Sequence, residues 1–155
     1  MTVKVRQLSS GEDLSAAIEL LQRFFAEEGF STPAAVIAQN TRTLAGLPNC
    51  ALLTAEDDGK AIGVATLSLE FGIEFGWSAE MGDLYVLPEW RGKGVSRLLV
   101  DAAEAFLRTK GAVGYQVTVT PFAEEHHALG QFYEKLGFES EGRLILYKWL
   151  NSGGV

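Results

Sequence analysis

The sequence predicts an α/β protein with one mixed central sheet and helices on both faces. Three observations lead there. Strand-like and helix-like segments follow one another in the order β-α-α-β-β-β-α-β-α-β. Three consecutive strands are joined by short turn signals, a central hairpin run. Residues 84–99, LYVLPEWRGKGVSRLL, pass from a strand through a Gly-containing basic turn into a helix. A sheet that mixes hairpins with strand–helix units needs helices over both faces to bury it.

Each element has its own signal. Residues 2–8 alternate apolar and polar as a strand. Ser9 with Glu12 makes a capping box ahead of a helix whose apolar stripe is Leu14, Ala17, Ile18, Leu21 and Phe25. Ser31-Thr32-Pro33 opens a second helix that runs to about Leu44; its few large apolar residues suit a lid or an edge. Residues 50–55 and 60–71 read as strands joined by the hairpin signal Asp57-Asp58-Gly59. Gly72 to Gly76 is a second turn, and residues 78–87 form the next strand. The following helix carries Val95, Leu98, Leu99, Ala102, Phe106 and Leu107 on one face, and Gly111 and Gly114 end it. Residues 115–120 alternate as a strand that Pro121 stops. Leu129, Phe132, Tyr133 and Leu136 mark the last helix, with room for a short strand at Phe138; residues 143–150 give a final strand. No repeat, low-complexity run or linker interrupts the pattern. We therefore expect one domain over 1–150 and a frayed tail at 151–155.

Composition narrows the function. A chain of 155 residues, 47% of them apolar, can bury a core of its own. One cysteine, Cys50, excludes an internal disulfide and fits a reducing compartment. The start, MTVKVRQLSS, has no apolar signal core, and the apolar runs are far too short for a membrane span, so a cytoplasmic protein with no membrane partner is expected. The net charge of −7 argues against nucleic acid as a partner. It suits a cationic small molecule such as an amine, although solubility alone would also account for it. No His/Cys spacing suggests a metal.

Arg91-Gly92-Lys93-Gly94-Val95-Ser96 is the most informative stretch. It lies where backbone N–H groups are bare at a helix N-terminus, and its glycines let a ligand approach the backbone. The helix dipole favours an anion there, and Arg91 and Lys93 add charge, so the turn has the makings of a diphosphate cradle. About 40 residues on comes Phe132-Tyr133-Glu134-Lys135-Leu136-Gly137-Phe138. Together the two stretches resemble the GNAT superfamily of acetyl-CoA-dependent N-acetyltransferases. The first is similar to its pyrophosphate motif, Arg/Gln-x-x-Gly-x-Gly/Ala, with Ser96 at the last position; the second is similar to its C-terminal motif. The likeness follows element order along nearly the whole chain and is specific over residues 80–138.

The resemblance implies a fold in which two adjacent parallel strands, here 81–87 and 115–120, splay apart. The pantetheine arm of acetyl-CoA would enter between them, against backbone groups of Leu84, Tyr85 and Val86. It assigns the pyrophosphate to backbone groups of Arg91, Gly92, Lys93, Gly94, Val95 and Ser96. It makes Tyr133 the acid that protonates the departing thiolate, although Tyr133 also lies on the apolar stripe, where a core aromatic belongs. His126 stands where the family often has an asparagine on the pantetheine; His126 or His127 would take that role, or both are exposed residues of an acidic turn.

Acetyl transfer needs a neutral amine. Glu80 and Asp83 are the candidate bases, and Glu80 matches the glutamate position used by histone-type members. A regular strand would put the two on opposite faces, so they are alternatives unless a bulge intervenes. Phe25, Glu70, Phe71, Glu74 and Trp77 are the acceptor-site candidates, acids mixed with aromatics, or else core aromatics beside solvated acids. The family often forms homodimers, so a homodimer is expected. The resemblance implies an N-acetyltransferase that acts on a primary amine of a small cationic molecule by direct attack in a ternary complex. The alternatives are a protein N-terminal or lysine acetyltransferase and a non-catalytic acyl-CoA sensor, which would need neither Tyr133 nor a base.

Overall fold

A computed structural model describes residues 2–151. Five strands form one sheet in the order of the chain: β1 (Val3–Leu8), β2 (Cys50–Asp57), β3 (Lys60–Gly72), β4 (Gly76–Val86) and β5 (Tyr115–Gln116). The first four pair antiparallel, while β5 pairs parallel to β4. The β2–β3 hairpin turns on Asp58 and Gly59, both at positive φ, as a tight hairpin of this hand requires. Between β1 and β2 lie α1 (Ser15–Glu27) and α2 (Ala34–Gly46); between β4 and β5 lie a short 3-10 turn (Pro88–Trp90) and α3 (Val95–Thr109).

Helices cover both faces. From α1, Phe24 packs on Tyr85 of β4 with ring centroids 5.5 Å apart. The Gln22 amide reaches the Ala34 carbonyl at 3.0 Å and ties α1 to α2. On the other face α3 lies so close to β3 that a Cβ added at Gly63 would sit 3.1 Å from Leu99 Cδ1 and 3.2 Å from the Tyr85 carbonyl. Leu67, Val95 and Leu99 are fully buried in this layer, and Leu52 and Val64 are fully buried on the opposite face of the sheet. The Tyr115 hydroxyl donates to Glu104 at 2.8 Å and fastens β5 to α3.

Four local expectations change. The Ser9–Glu12 box forms, with the Ser9 N–H on Glu12 Oε2 at 2.8 Å, but it closes a turn ahead of α1. The helix itself starts at Ser15, whose N–H is held by Asp13 Oδ1 at 2.9 Å. Leu98 is exposed, while Val100 and Ala103 are buried, because α3 is rotated slightly from the stripe read in the sequence. The strand at 115–120 shrinks to two residues: pairing stops at Glu80↔Gln116, just before an irregularity in β4 that kinks the strand.

The chain divides into two compact units, Met1–Val117 and Thr118–Val155. In the second, α4 (Pro121–His127) and α5 (Leu129–Lys135) meet at Ala128, which takes a left-handed conformation at φ 49°. Pro121 begins α4 instead of merely stopping a strand. Thr120 caps that helix, its Oγ1 accepting from the Ala123 N–H at 3.1 Å. Phe138 does not start a strand; its N–H closes the end of α5 on the Tyr133 carbonyl at 3.1 Å. The final strand expected at 143–150 is not formed: a strand exists only by pairing with another, and the described residues of this unit offer no partner strand. The tail expected at 151–155 lies, Asn151 apart, outside the described residues.

Candidate active site

β4 is not regular. The ladder pairs Leu67 with Met81 and Thr66 with Asp83, so Gly82 is an extra residue, a bulge. Cross-strand partners share a face, and Ser68 and Thr66, two apart on β3, face the same way. Their partners Glu80 and Asp83 therefore also share a face. The bulge removes the choice between the two acids that a regular strand would impose. Thr66 donates to Asp83 Oδ2 at 2.6 Å. Burial pushes the Asp83 carboxyl above its ordinary pKa; the Thr66 hydroxyl pulls it down, and the nearby Glu80 charge adds a further push upward. Glu80 itself is exposed.

The hairpin candidates divide. Glu70 pairs with Ser78 on the face of Glu80 and Asp83, which gives that face three acids in a row along β3 and β4. Phe71 and Trp77 pair with each other on the opposite face, their rings 5.2 Å apart and both exposed. Glu74 lies in the turn between the strands. Phe25 belongs to a different cluster at the end of α1. Its ring packs edge-on against Phe30 at 5.2 Å and against Phe24 at 5.8 Å, and Phe24 in turn lies on Tyr85. Phe24 and Phe25 thus stand on the sheet face that carries the acids.

Beyond β4 the chain enters the basic turn. Gly92 and Gly94 have φ of 74° and 83°, and a Cβ on either would meet nothing within 4 Å. The space over this backbone is open, and Gly94 is the residue that caps α3. The first N–H groups of α3 have no acceptor inside the helix, and its dipole points its positive end at the turn. The open backbone, the bare donors and the positive end of the helix suit a diphosphate. The side chain of Arg91 is engaged elsewhere. Its Nε donates to the Val86 carbonyl at 2.9 Å, its other arm meets Glu27 at 3.1 Å, and its guanidinium lies 5.4 Å from the Tyr85 ring centre. Glu27 thus answers one of the two charges expected over the turn. Lys93 remains there, its Nζ 5.1 Å from the Trp90 ring centre. Of the expected pantetheine contacts, Leu84 is half-buried, Tyr85 and Val86 are buried, and the Val86 carbonyl already accepts from Arg91. The Tyr85 hydroxyl is buried; desolvation, then the Glu27 charge, push its pKa up.

In the second unit Tyr133 is buried and lies edge-on to Phe132 and Phe138, at 5.1 and 5.2 Å. Burial raises its pKa to about 12, which keeps its proton in place. His126 is on α4, not in a turn. Its Nδ1 is 2.9 Å from the Phe122 carbonyl, and its ring stacks on Phe122 at 4.0 Å, so it folds back on its own helix. Sequence reasoning missed Thr66, Gly82 and Glu27. A lone glycine inside a strand pattern is the signal that marks a bulge and could have found Gly82; the other two depend on long-range pairing. Among the described residues no group of three or more His, Cys, Asp or Glu is placed to hold a metal, and no helix is long and apolar enough to cross a membrane.

A family model described as acetyltransferase (GNAT) family matches residues 14–138. The chain belongs to that family. It is an acetyl-CoA-dependent N-acetyltransferase, and acetyl-CoA is its cosubstrate. Among curated proteins it is similar to the aminoglycoside N(6')-acetyltransferase type 1 of Stenotrophomonas maltophilia, at 29% identity over 112 residues, 70% of this chain and 71% of that protein. Two solved structures share the GNAT fold. One is the aminoglycoside N-acetyltransferase AAC(6')-Iy in complex with CoA, at TM-score 0.81 and 21% identity, covering 97% of this chain and 96% of the other. The other is the aminoglycoside acetyltransferase meta-AAC0020 from an uncultured soil metagenomic sample in complex with sisomicin, at TM-score 0.76 and 21% identity, covering 97% of each chain.

Proposed function

We propose that this GNAT enzyme acetylates a primary amine of a small polycationic acceptor, of the aminoglycoside kind, by direct attack in a ternary complex. The observation that carries the reading is the bulge at Gly82, which turns Glu80 and Asp83 onto one face in line with Glu70. Three carboxylates on one face suit a molecule with several ammonium groups, and the similar curated protein is an aminoglycoside N-acetyltransferase.

In this reading the backbone of Arg91 to Ser96 holds the diphosphate of acetyl-CoA. The pantetheine arm runs along the edge of β4 at Leu84, Tyr85 and Val86, which among the described residues has no strand beside it past Glu80. Glu80 and Asp83 orient the acceptor ammonium and, through water, take its proton. The neutral nitrogen then attacks the thioester carbon, the C–S bond breaks, the thiolate of CoA leaves with the Tyr133 proton, and the proton that the new amide nitrogen sheds restores the tyrosine. In this reading the enzyme is a cytoplasmic homodimer. Phe25 and the Phe24 and Phe30 rings beside it wall the acceptor site.

The test is thiol release from acetyl-CoA in the presence of aminoglycosides, linear polyamines and N-terminal peptides. The reading expects aminoglycosides to give the highest kcat/KM, and Asp83→Asn to lower it about 100-fold or more. Release with peptides alone would move the assignment to a protein acetyltransferase. Tight CoA binding with no release for any amine would make the chain a sensor.

A further inference from the structure

We infer that Thr66 is a positioning residue for the reaction, acting through Asp83. The inference rests on the reading that Asp83 serves the acceptor amine. Thr66 is buried, and its hydroxyl donates to Asp83 Oδ2 at 2.6 Å. The contact exists because of the bulge. Without the extra residue at Gly82, Thr66 would pair with position 82 and Asp83 would turn to the other face.

The chemistry asks for such a donor. A carboxylate accepts an ammonium or a proton only when it is ionised. Burial and the Glu80 charge both oppose that at Asp83, and the Thr66 hydrogen bond is the effect in its favour. The charged neighbours of Asp83 on this face are Glu80 and, farther along the hairpin, Glu70. β3 presents Thr66 and Ser68; β2 presents Leu52 and the Cys50 thiol, whose sulfur is 3.6 Å from Ser68 Oγ. The buried residues of α1, which packs over this side of β4, are Ala17, Ile18, Leu20 and Leu21, and its Arg23 and Glu27 act on Tyr85. Thr66 thus fixes which carboxylate oxygen stays free for the acceptor and holds the group charged at lower pH.

The experiment compares wild type with Asp83→Asn, Thr66→Val, Thr66→Ala and Thr66→Ser. It reads the pH profile of kcat/KM for an aminoglycoside, the CoA affinity by calorimetry, and the Asp83 carboxyl titration by carbon NMR on the unliganded protein. Thr66→Val and Thr66→Ala are expected to move the acid limb and the carboxyl titration to higher pH together. They should lower kcat/KM about tenfold on that limb and leave CoA affinity unchanged. Thr66→Ser keeps the hydroxyl and should reproduce the wild-type profile. If Asp83→Asn is inactive while the Thr66→Val and Thr66→Ala profiles superimpose on wild type, the inference is wrong and the role of Asp83 stands. If Asp83→Asn is fully active, both are wrong.

Discussion

The Arg91 guanidinium holds the Val86 carbonyl with one nitrogen, at 2.9 Å, and the Glu27 carboxylate with another, at 3.1 Å. One side chain thereby joins the end of α1, the end of β4 and the start of the basic turn. Lysine keeps the charge but lacks the planar fork. We expect Arg91→Lys to weaken CoA binding several-fold in calorimetry. Glu27→Gln should leave the melting temperature within a degree or two, because a pair this exposed contributes about 0–1 kcal/mol. A large drop in stability for Glu27→Gln would show that the pair does more than position the turn.

Gly94→Ala separates folding from binding. Alanine at φ 83° is strained by about 1–2 kcal/mol, yet its Cβ meets no protein atom. The variant should fold with a modestly lower melting temperature. Its CoA affinity should fall about tenfold or more, since the methyl group fills the space in which a phosphate would contact the backbone. Unchanged affinity would remove the turn from the site.

Gly63→Ala tests the sheet–helix contact instead. Its methyl group would meet the Tyr85 carbonyl at 3.2 Å, a backbone atom that cannot step aside. We expect a loss of about 1–3 kcal/mol in denaturant unfolding, with the KM for acetyl-CoA little changed in the molecules that stay folded.

Tyr133 carries a pH signature. Its pKa rises from about 10 in the unfolded chain to about 12 in the fold. Between those values the folded state keeps a proton that the unfolded state has lost. The stabilisation is therefore full below pH 10 and disappears as pH rises toward 12, a loss of about 3 kcal/mol. Tyr133→Phe should flatten that alkaline fall in stability and lower kcat about 100-fold while CoA still binds. Equal turnover by the phenylalanine variant would assign the thiolate's proton to another donor.

Much of the fold was legible because its signals are local. The Asp57-Asp58-Gly59 hairpin, the Gly72–Gly76 turn and the strand–turn–helix at 84–99 are set by residues adjacent in sequence. What the sequence hid depends on partners far along the chain. Whether Glu80 and Asp83 share a face is decided by pairing with β3, where one extra residue, Gly82, reverses the answer given by alternation. The engagement of Arg91 by Glu27 joins residues 64 positions apart. The helix at 121–127 was missed for a different reason. Pro121 reads as a strand stop, although Thr120-Pro121 is also a cap followed by a favoured first helical residue. The strand at 143–150 shows the reverse error, since an apolar run with strand propensity forms no ladder without a partner.

The most direct measurement is an amide-resolved NMR titration of the protein with CoA. We predict that the largest shifts fall on the N–H groups of Gly92 to Ser96, with a second set along Met81 to Val86. Saturable binding that leaves those amides unmoved and shifts others would contradict the placement of the cosubstrate on which the proposed chemistry depends.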